Sequence, residues 1–362
     1  MEKRFHGIDL HKLYATITIR DSEGSETYFT AHCTDFRSYI QSLGRNDVVV
    51  VESINNAFFW ADEIEKQGAK CVIVDPHKFR IIKDSWNKTD KRDSANLSLA
   101  LWMAEIRSEF RLPSVYKPSL MIRDLRKLFS QYQTICDQIT QHKNSIQSAF
   151  AEKGIALSKT QKYELFKTDG NTAVLGEYNI TGASEKCILS SLAIMALLAE
   201  QKEQFKTLII EMGKNFSKEV KLLITIKGVS PLLALAFLAD VGDITRFPNV
   251  RSFNAYLGVV PSVKSSGGKT QMGHITRQSR KLSRTLFTQP LNHIISSTDS
   301  MADFYDGIKS RRGAGRSRIA VIRKTFNIMR RMLLTGEEYR GKDEINFQKK
   351  LKEFEKIIQR AA

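Results

Sequence analysis

The chain has 362 residues, 42% of them hydrophobic, which exceeds one ordinary domain, allows two globular units joined by something extended, and leaves room only for local disorder. Its net charge of +17 favours a polyanionic partner, while apolar runs such as "LLALAFLA" are far too short to cross a bilayer, so no membrane association is expected. Cys33, Cys71, Cys136 and Cys187 are widely spaced without a CxxC pair, and "MEKRFHGIDLHK" runs straight into a strand pattern, which excludes a zinc motif and points to a reduced, cytosolic chain without a signal peptide.

In chain order, "HGIDLHK", "YATITIRD" and "SETYFTAH" read as three sequential strands in antiparallel hairpins. "CTDFRSYIQSL" is a helix with Thr34 as its cap, "DVVVVES" a fully apolar strand, "NNAFFWADEIEKQG" a helix, and "AKCVIVD" a further apolar strand. "PHKFRIIKDSW" opens on a proline suited to a first helical turn. Apolar strands separated by helices imply a sheet covered on both faces, and three hairpin strands followed by two crossover strands is the order of a ribonuclease-H-like α/β fold.

From Pro118 to Lys153 the pattern is helical, with Leu125, Leu128, Tyr132, Ile135, Ile139 and Ile146 on one stripe, and a second helical stretch runs from Ser184 to Gly213. Two arrangements fit: an extended coiled arm that holds subunits together, or a hairpin packed on the first domain. Further on, a helix ends in "KGV", Pro231 begins the next, and "GDI" ends it, an arrangement close to a helix-hairpin-helix whose turn amides can hold a DNA phosphate; "SP" in place of the tighter glycine turn after Val229 fits a purely structural hairpin equally well. "RSFNAYLGVVP" reads as a short helix and turn. The helix from Ser317 to Leu334 turns Ile319, Ile322, Phe326, Met329 and Leu333 inward and Arg318, Arg323, Lys324, Arg330 and Arg331 outward.

Charge is unevenly spread. Met1 to Ala100 carries 14 Lys and Arg against 15 Asp and Glu, whereas Ser262 to Arg331 carries 15 against three, so the positive field belongs to the C-terminal part. That part contains "PSVKSSGGKTQMGHITRQSRKLSRTLF". Its "GGKT" is like the end of a phosphate-cradling loop, but the first loop glycine would fall at Val263, and a helix and turn rather than a strand precede it.

The acidic residues form a second pattern. Asp9 follows the apolar end of the first strand and Glu52 ends the valine strand; in a ribonuclease-H-like sheet these strands are neighbours. "NKTDKRDSANLSLAL" adds Asp90 and Asp93, three apart at a helix start and therefore pointing the same way. Four such carboxylates repel unless a cation offsets them, and Mg²⁺ prefers oxygen ligands, with Mn²⁺ able to substitute. A two-metal phosphoryl-transfer site needs this set; Asp90 alone would read as a helix cap. Lys12, Lys88, Lys91 and Arg92 flank the acids and could guide phosphates or simply be solvated.

Together "GIDLHK", Glu52 after "VVVV", "DPHKFRIIKDS", "KTDKRDSANL" and "LLITIKGVSPLLALAFLADVGDITRFPNVRSFNAYLGVVPSVKSSGGKTQMGHITRQSRKLSRTL" resemble the DEDD transposases of the insertion-sequence 110 family, and more distantly the pilin-gene-inverting recombinases. The resemblance covers nearly the whole chain and is least specific between 155 and 215. It implies a RuvC-like catalytic domain over 1–112, a helical arm over 113–216, a mainly helical serine domain over 217–340 and a helical tail over 341–362. It also implies catalytic and metal-holding roles for Asp9, Glu52, Asp90 and Asp93, and a nucleophilic serine at Ser266, with Ser265 as the adjacent alternative.

Further implications are donor and target DNA as substrates, a structured non-coding guide RNA, and dimers assembling to tetramers in a bacterial or archaeal cytoplasm, at the nucleoid. Gly267 and Gly268 would let backbone approach a phosphate, while Lys269, Arg277, Arg280, Lys281 and Arg284 bind strands; Lys78, Arg80 and Lys83 join the arginines Arg318 and Arg323 as RNA candidates. The chain departs from the family pattern at Ser279, Met272 and Ser94, none of which removes a functional group. Two other readings use the same residues: a metal-dependent junction-resolving endonuclease without a serine, and a nucleic-acid organiser with inert acids.

Overall fold

The computed structural model describes residues 2–79, 89–107, 110–167, 173–266, 269–275 and 279–360, with backbone alone at 33, 34, 173, 263–266, 269, 270 and 272. Contacts divide it into two units, Met1–Lys117 and Pro118–Ala362. It is a mixed α/β protein with one five-stranded sheet and many helices.

In the first unit, β1 (Arg4–Leu10), β2 (Tyr14–Arg20) and β3 (Glu26–His32) form the expected antiparallel hairpins. After α1 (Cys33–Gln41), β4 (Asp47–Glu52) pairs parallel with β1; after α2 (Ala57–Lys66), β5 (Lys70–Val74) pairs parallel with β4. The order is β3-β2-β1-β4-β5. Strand periodicity explains the apolar run in β4: Val49 and Val51 join the core under α1 and α2, whereas Val48 and Val50 join the core under α3 (Asp90–Ile106).

The same alternation orders β1. Phe5 belongs to the α3 side and Ile8 and Leu10 to the other. Gly7 sits on the α3 side where no side chain fits, since a Cβ there would lie 2.2 Å from the Ser94 carbonyl oxygen and 2.3 Å from the Ser98 amide nitrogen. The helix therefore rests directly on strand backbone. Ser98 Oγ donates to the Phe5 carbonyl and Ser94 Oγ meets Thr18 Oγ1 at 2.8 Å, so the serine at 94 is buried and satisfied.

One expectation is corrected here. Thr34 lies inside α1, whose N-cap is His32 without a side-chain cap bond. At Pro76 to Lys78 the chain makes one hydrogen-bonded turn, with the Phe79 amide donating to the Asp75 carbonyl at 3.0 Å and the His77 amide to the Asp75 carboxylate, as at a capped helix start; 80–88 lie outside the described residues.

The second unit opens with α4 (Leu120–Ala151), capped by Ser119, then the short α5 (Lys159–Leu165) and α6 (Ala173–Glu177), then α7 (Ala183–Met212). Of the expected α4 stripe, Leu125, Tyr132, Ile135 and Ile146 are buried and Leu128 and Ile139 half-buried. Leu125, Phe129 and Tyr132 share a core with Ile209 and Ile210, whereas Ile146 and Phe150 share another with Ile188 and Met195. The two long helices thus run antiparallel as a hairpin with a core at each end.

A 3-10 turn (Gly213–Phe216) leads into α8 (Ser217–Leu223), which ends five residues earlier than "KGV" would place it. The carbonyls freed in that turn have a partner. Lys350 Nζ donates to Ile224 O, to Ile226 O at 2.8 Å and to Val229 O at 3.1 Å, using all three ammonium protons. Burial pushes that amine down to about 8, so it is still charged at neutral pH.

Next come α9 (Pro231–Val241), with Ser230 as cap and Pro231 in its first turn, and α10 (Val250–Tyr256). A two-stranded sheet of β6 (Pro261–Ser266) and β7 (Lys269–Ile275) follows. The helices α11 (Leu282–Leu286), α12 (Leu291–Ile295), α13 (Asp299–Arg312), α14 (Ala314–Thr335) and α15 (Glu344–Arg360) complete the unit. On α14, Ile322, Phe326 and Met329 are buried as expected, Ile319 and Leu333 half-buried, and Arg318 and Arg331 exposed.

Candidate metal centre and serine hairpin

Asp9 lies on the face of β1 that carries Phe5 and Gly7, and Glu52 on the face of β4 that carries Val48 and Val50. The last parallel pair is Ile8 with Val51, so Asp9 and Glu52 each follow it by one residue, on neighbouring strands and on the side of α3. The first turn of α3 brings Asp90 and Asp93 to that side, fixed by Thr89, whose Oγ1 accepts from the Arg92 amide. Thr89, rather than Asp90, is the cap, which leaves Asp90 free of that duty.

The side chains of Asp9 and Asp90 converge on His11. Its Nε2 lies 3.1 Å from Asp9 Oδ2 and 3.4 Å from Asp90 Oδ2, and its ring stacks on Tyr14 with centroids 4.3 Å apart. The Tyr14 hydroxyl donates to Asp90 Oδ2 at 2.9 Å. Burial pushes the Asp9 carboxyl up; His11 opposes this, and the charges of Asp90 and Asp93 add to it.

Donor atoms of Asp9, His11 and Asp90 lie within 4.8 Å of one another, so these three form a group able to hold a metal ion. His11 was not singled out in the sequence. The signal was present in "DLH", because residues two apart on extended chain share a side. Glu52 and Asp93 are half-buried on the same side of the sheet.

Ser266 belongs to the second unit. It ends β6 and pairs with Lys269 of β7, as Ser265 pairs with Thr270. Gly267 and Gly268 connect the strands and lie outside the described residues, as does Arg277. The hairpin was not read from the sequence, although two glycines between short strands are a hairpin signal. Flanking the hairpin in sequence, Asp240 is buried and accepts from both the amide (2.8 Å) and the hydroxyl (2.7 Å) of Ser283, which ties α11 to α9. Its carboxyl is pushed up by burial, which those two hydrogen bonds oppose.

The sequence model of the transposase IS116/IS110/IS902 family matches residues 220–306, the stretch from α8 through the serine hairpin to α13. A probable family 20 transposase of Pseudomonas aeruginosa is 23% identical over 306 residues, covering 81% of this chain and 86% of its own. The transposase for insertion sequence element IS1111A of Coxiella burnetii is 24% identical over 299 residues, covering 81% and 79%. The chain is thus similar to insertion-sequence transposases over about four fifths of its length, and its residues 220–306 match the IS116/IS110/IS902 family.

The basic candidates fall into several environments. Lys12, Arg92, Arg280, Lys281 and Arg318 are exposed. Lys91 lies over the Tyr28 ring, 4.3 Å from its centroid, and Lys78 pairs with Asp75 at 3.7 Å. Arg284 is half-buried and donates to the Gly258 carbonyl at 2.5 Å, and Arg323 is half-buried on α14. Arg80, Lys83 and Lys88 lie outside the described residues, and of Lys269 only the backbone is described. Cys71, Cys136 and Cys187 are free thiols, and among the described residues no helix is long and apolar enough to cross a membrane.

Proposed function

We propose that this chain is a transposase, a DNA strand-transferring recombinase with two chemical parts, a ribonuclease-H-like acid group and the serine at 266. The observation that carries the reading is the convergence of Asp9 and Asp90, 81 residues apart in sequence, on one imidazole at the end of the sheet. Half-buried carboxylates gathered near one another call for a cation, and the strand order β3-β2-β1-β4-β5 with Glu52 and Asp93 on the same side supports a four-acid set.

The oxygen-rich donors fit Mg²⁺ or Mn²⁺, with Asp9, Glu52, Asp90 and Asp93 as holders and His11 as the group that spans Asp9 and Asp90. A divalent ion there would supply charge neutralisation at a phosphate and ease ionisation of a hydroxyl. The protein's own step is transesterification. Ser266 Oγ loses its proton and bonds to a DNA phosphorus, the bond from that phosphorus to the 3′ oxygen breaks, and the 3′ oxygen takes up a proton. The product is a phosphoserine link and a free 3′-hydroxyl, which rejoining reverses on another strand. Donor and target would be chosen by a structured RNA bound through shape and phosphate, and the long helices of the arm would hold two protomers, with four in the active assembly.

The test is incubation with element-end DNA and RNA transcribed from the element flanks. A covalent protein–DNA adduct is expected with the wild type and lost in Ser266→Ala and in Asp9→Asn. Free nicked DNA from Ser266→Ala would favour the junction-resolving nuclease instead, and strand transfer undiminished in Asp9→Asn would leave the acids inert. Recombination that proceeds in a purified system without RNA would remove the guide while leaving the serine chemistry.

A further inference from the structure

The end of the α4–α7 hairpin that carries α5 is chemically unlike the rest of the arm. Lys143 of α4, Lys159, Lys162 and Tyr163 of α5, and Phe166 and Lys167 just beyond it line one open cavity of about 530 Å³. Four ammonium groups and two aromatic rings share this surface, and no carboxylate lines it. Lys143 Nζ lies 5.4 Å from the centroid of Phe166, and Lys167 Nζ 4.7 Å from that of Tyr163. Lys167 pairs with Glu164 at 2.8 Å, and the adjoining cavity that Lys143, Phe166 and Lys167 also line includes Glu200 and Glu203 of α7.

The face is built rather than incidental. Residues three and four apart on a helix are neighbours, so Lys159 sits beside Lys162 and Tyr163, and Lys162 beside Phe166. Like charges in this spacing weaken an isolated helix, and the helix persists here because it is anchored from its other side. Ser158 and Gln161 close a capping box, the Gln161 side chain donates to the Tyr178 hydroxyl at 2.9 Å, and Leu165 is fully buried in the core at this end of the hairpin. Tyr163 meanwhile is 67% exposed.

We infer that this end of the arm binds single-stranded nucleic acid, its lysines holding the phosphodiester backbone and Tyr163 stacking on an unpaired base. The lysines would attract any polyanion. The exposed ring decides between partners, because a base can stack on it only where it has left a duplex. RNA loops and separated DNA strands both present such bases, and the site is independent of the acid group in the first unit.

The test uses the full chain in EDTA and fluorescence anisotropy with labelled oligouridine and oligothymidine of about 15 nucleotides, a duplex of the same length, and vesicles containing phosphatidylserine. Tyr163→Ala should weaken single-strand binding roughly 5- to 100-fold, while Tyr163→Phe and duplex binding stay unchanged. Replacing Lys159 and Lys162 together by alanine should lower the log–log salt slope by about 1.4. These are surface changes, and circular dichroism reports whether the helices survive. Loss on either single-strand probe upholds the site, and the probe that responds names its source. Unchanged single-strand affinity in Tyr163→Ala, an equal loss on duplex, or losses confined to vesicles would overturn it.

Discussion

The acid group and the serine hairpin are organised by opposite means. Around Asp9 and Asp90 the positioning is done by burial: α3 lies on the bare backbone at Gly7, Thr89 sets its first turn, and His11 and Tyr14 hold the carboxylates. Around Ser266 the described ties are the pairings of two short strands. The difference teaches where strain is kept. Charges that repel must be forced together by a packed scaffold, whereas a hydroxyl with the proposed task of reaching a phosphorus can be carried on a hairpin.

The comparison breaks most severely at Gly7. Gly7→Val puts a Cβ within 2.2 Å of the Ser94 carbonyl and pushes α3 off the sheet. Overpacking of this kind costs about 1–3 kcal/mol or more, read as a large fall in the denaturant midpoint, and Mn²⁺ binding should vanish with it. No change in either would mean that α3 does not position the acids.

Asp9→Asn separates function from stability. It should reduce strand transfer roughly a thousandfold, since several kcal/mol of charge stabilisation depend on the acid group. In EDTA its midpoint should be no lower than that of the wild type, because a raised carboxyl among like charges is relieved. The stabilisation that Mn²⁺ gives the wild type should be absent. A midpoint well below wild type in EDTA would show that Asp9 is structural.

Lys350→Met tests the second unit in the same way. It leaves the carbonyls of Ile224, Ile226 and Val229 without their donor at a cost of about 1.5–3 kcal/mol, with the acid unit unaffected. Thermal unfolding followed separately for the two units, for example by hydrogen exchange, should show loss in α8 and α9 only.

The smallest effect concerns pH. Burial lowers the His6 pKa below its ordinary 6.5, against the opposing hydrogen bond to Asp47. Burial would raise Asp47, but hydrogen bonds from Arg4, the Gly44 amide and His6 outweigh it and hold the carboxyl below 3.8. In both cases the unfolded chain takes up protons first, so stability should decline as pH falls below about 6.5 and again below about 3.8. His6→Gln should remove the upper decline alone, as read from denaturant midpoints across pH.

Much of the first unit was legible because its signals are local. The valine run announces a strand covered on both faces, and acids at strand and helix ends announce a charged sheet edge. His11 escaped notice because one histidine between a leucine and a lysine has no periodicity to expose it. The cap expected at Thr34 fails because α1 begins one residue earlier, at Cys33, a boundary that propensity does not fix. The β6–β7 hairpin was hidden by its basic and polar composition, which reads as loop. The partner of the turn after α8 could not be read at all, since it lies 121 to 126 residues away.

That last distance has a consequence in time. The carbonyls of Ile224, Ile226 and Val229 are synthesised more than 120 residues before the lysine that closes them. At about 5–20 residues per second, the nascent turn waits on the order of ten seconds for its donor. A chain released between residues 332 and 349 already contains all four acids, both candidate serines and every arginine of α14, yet cannot seal the turn after α8. Synthesis of α15 as far as Lys350 is thus the step that gives the turn its donor, and a chain that stops short of Lys350 lacks it.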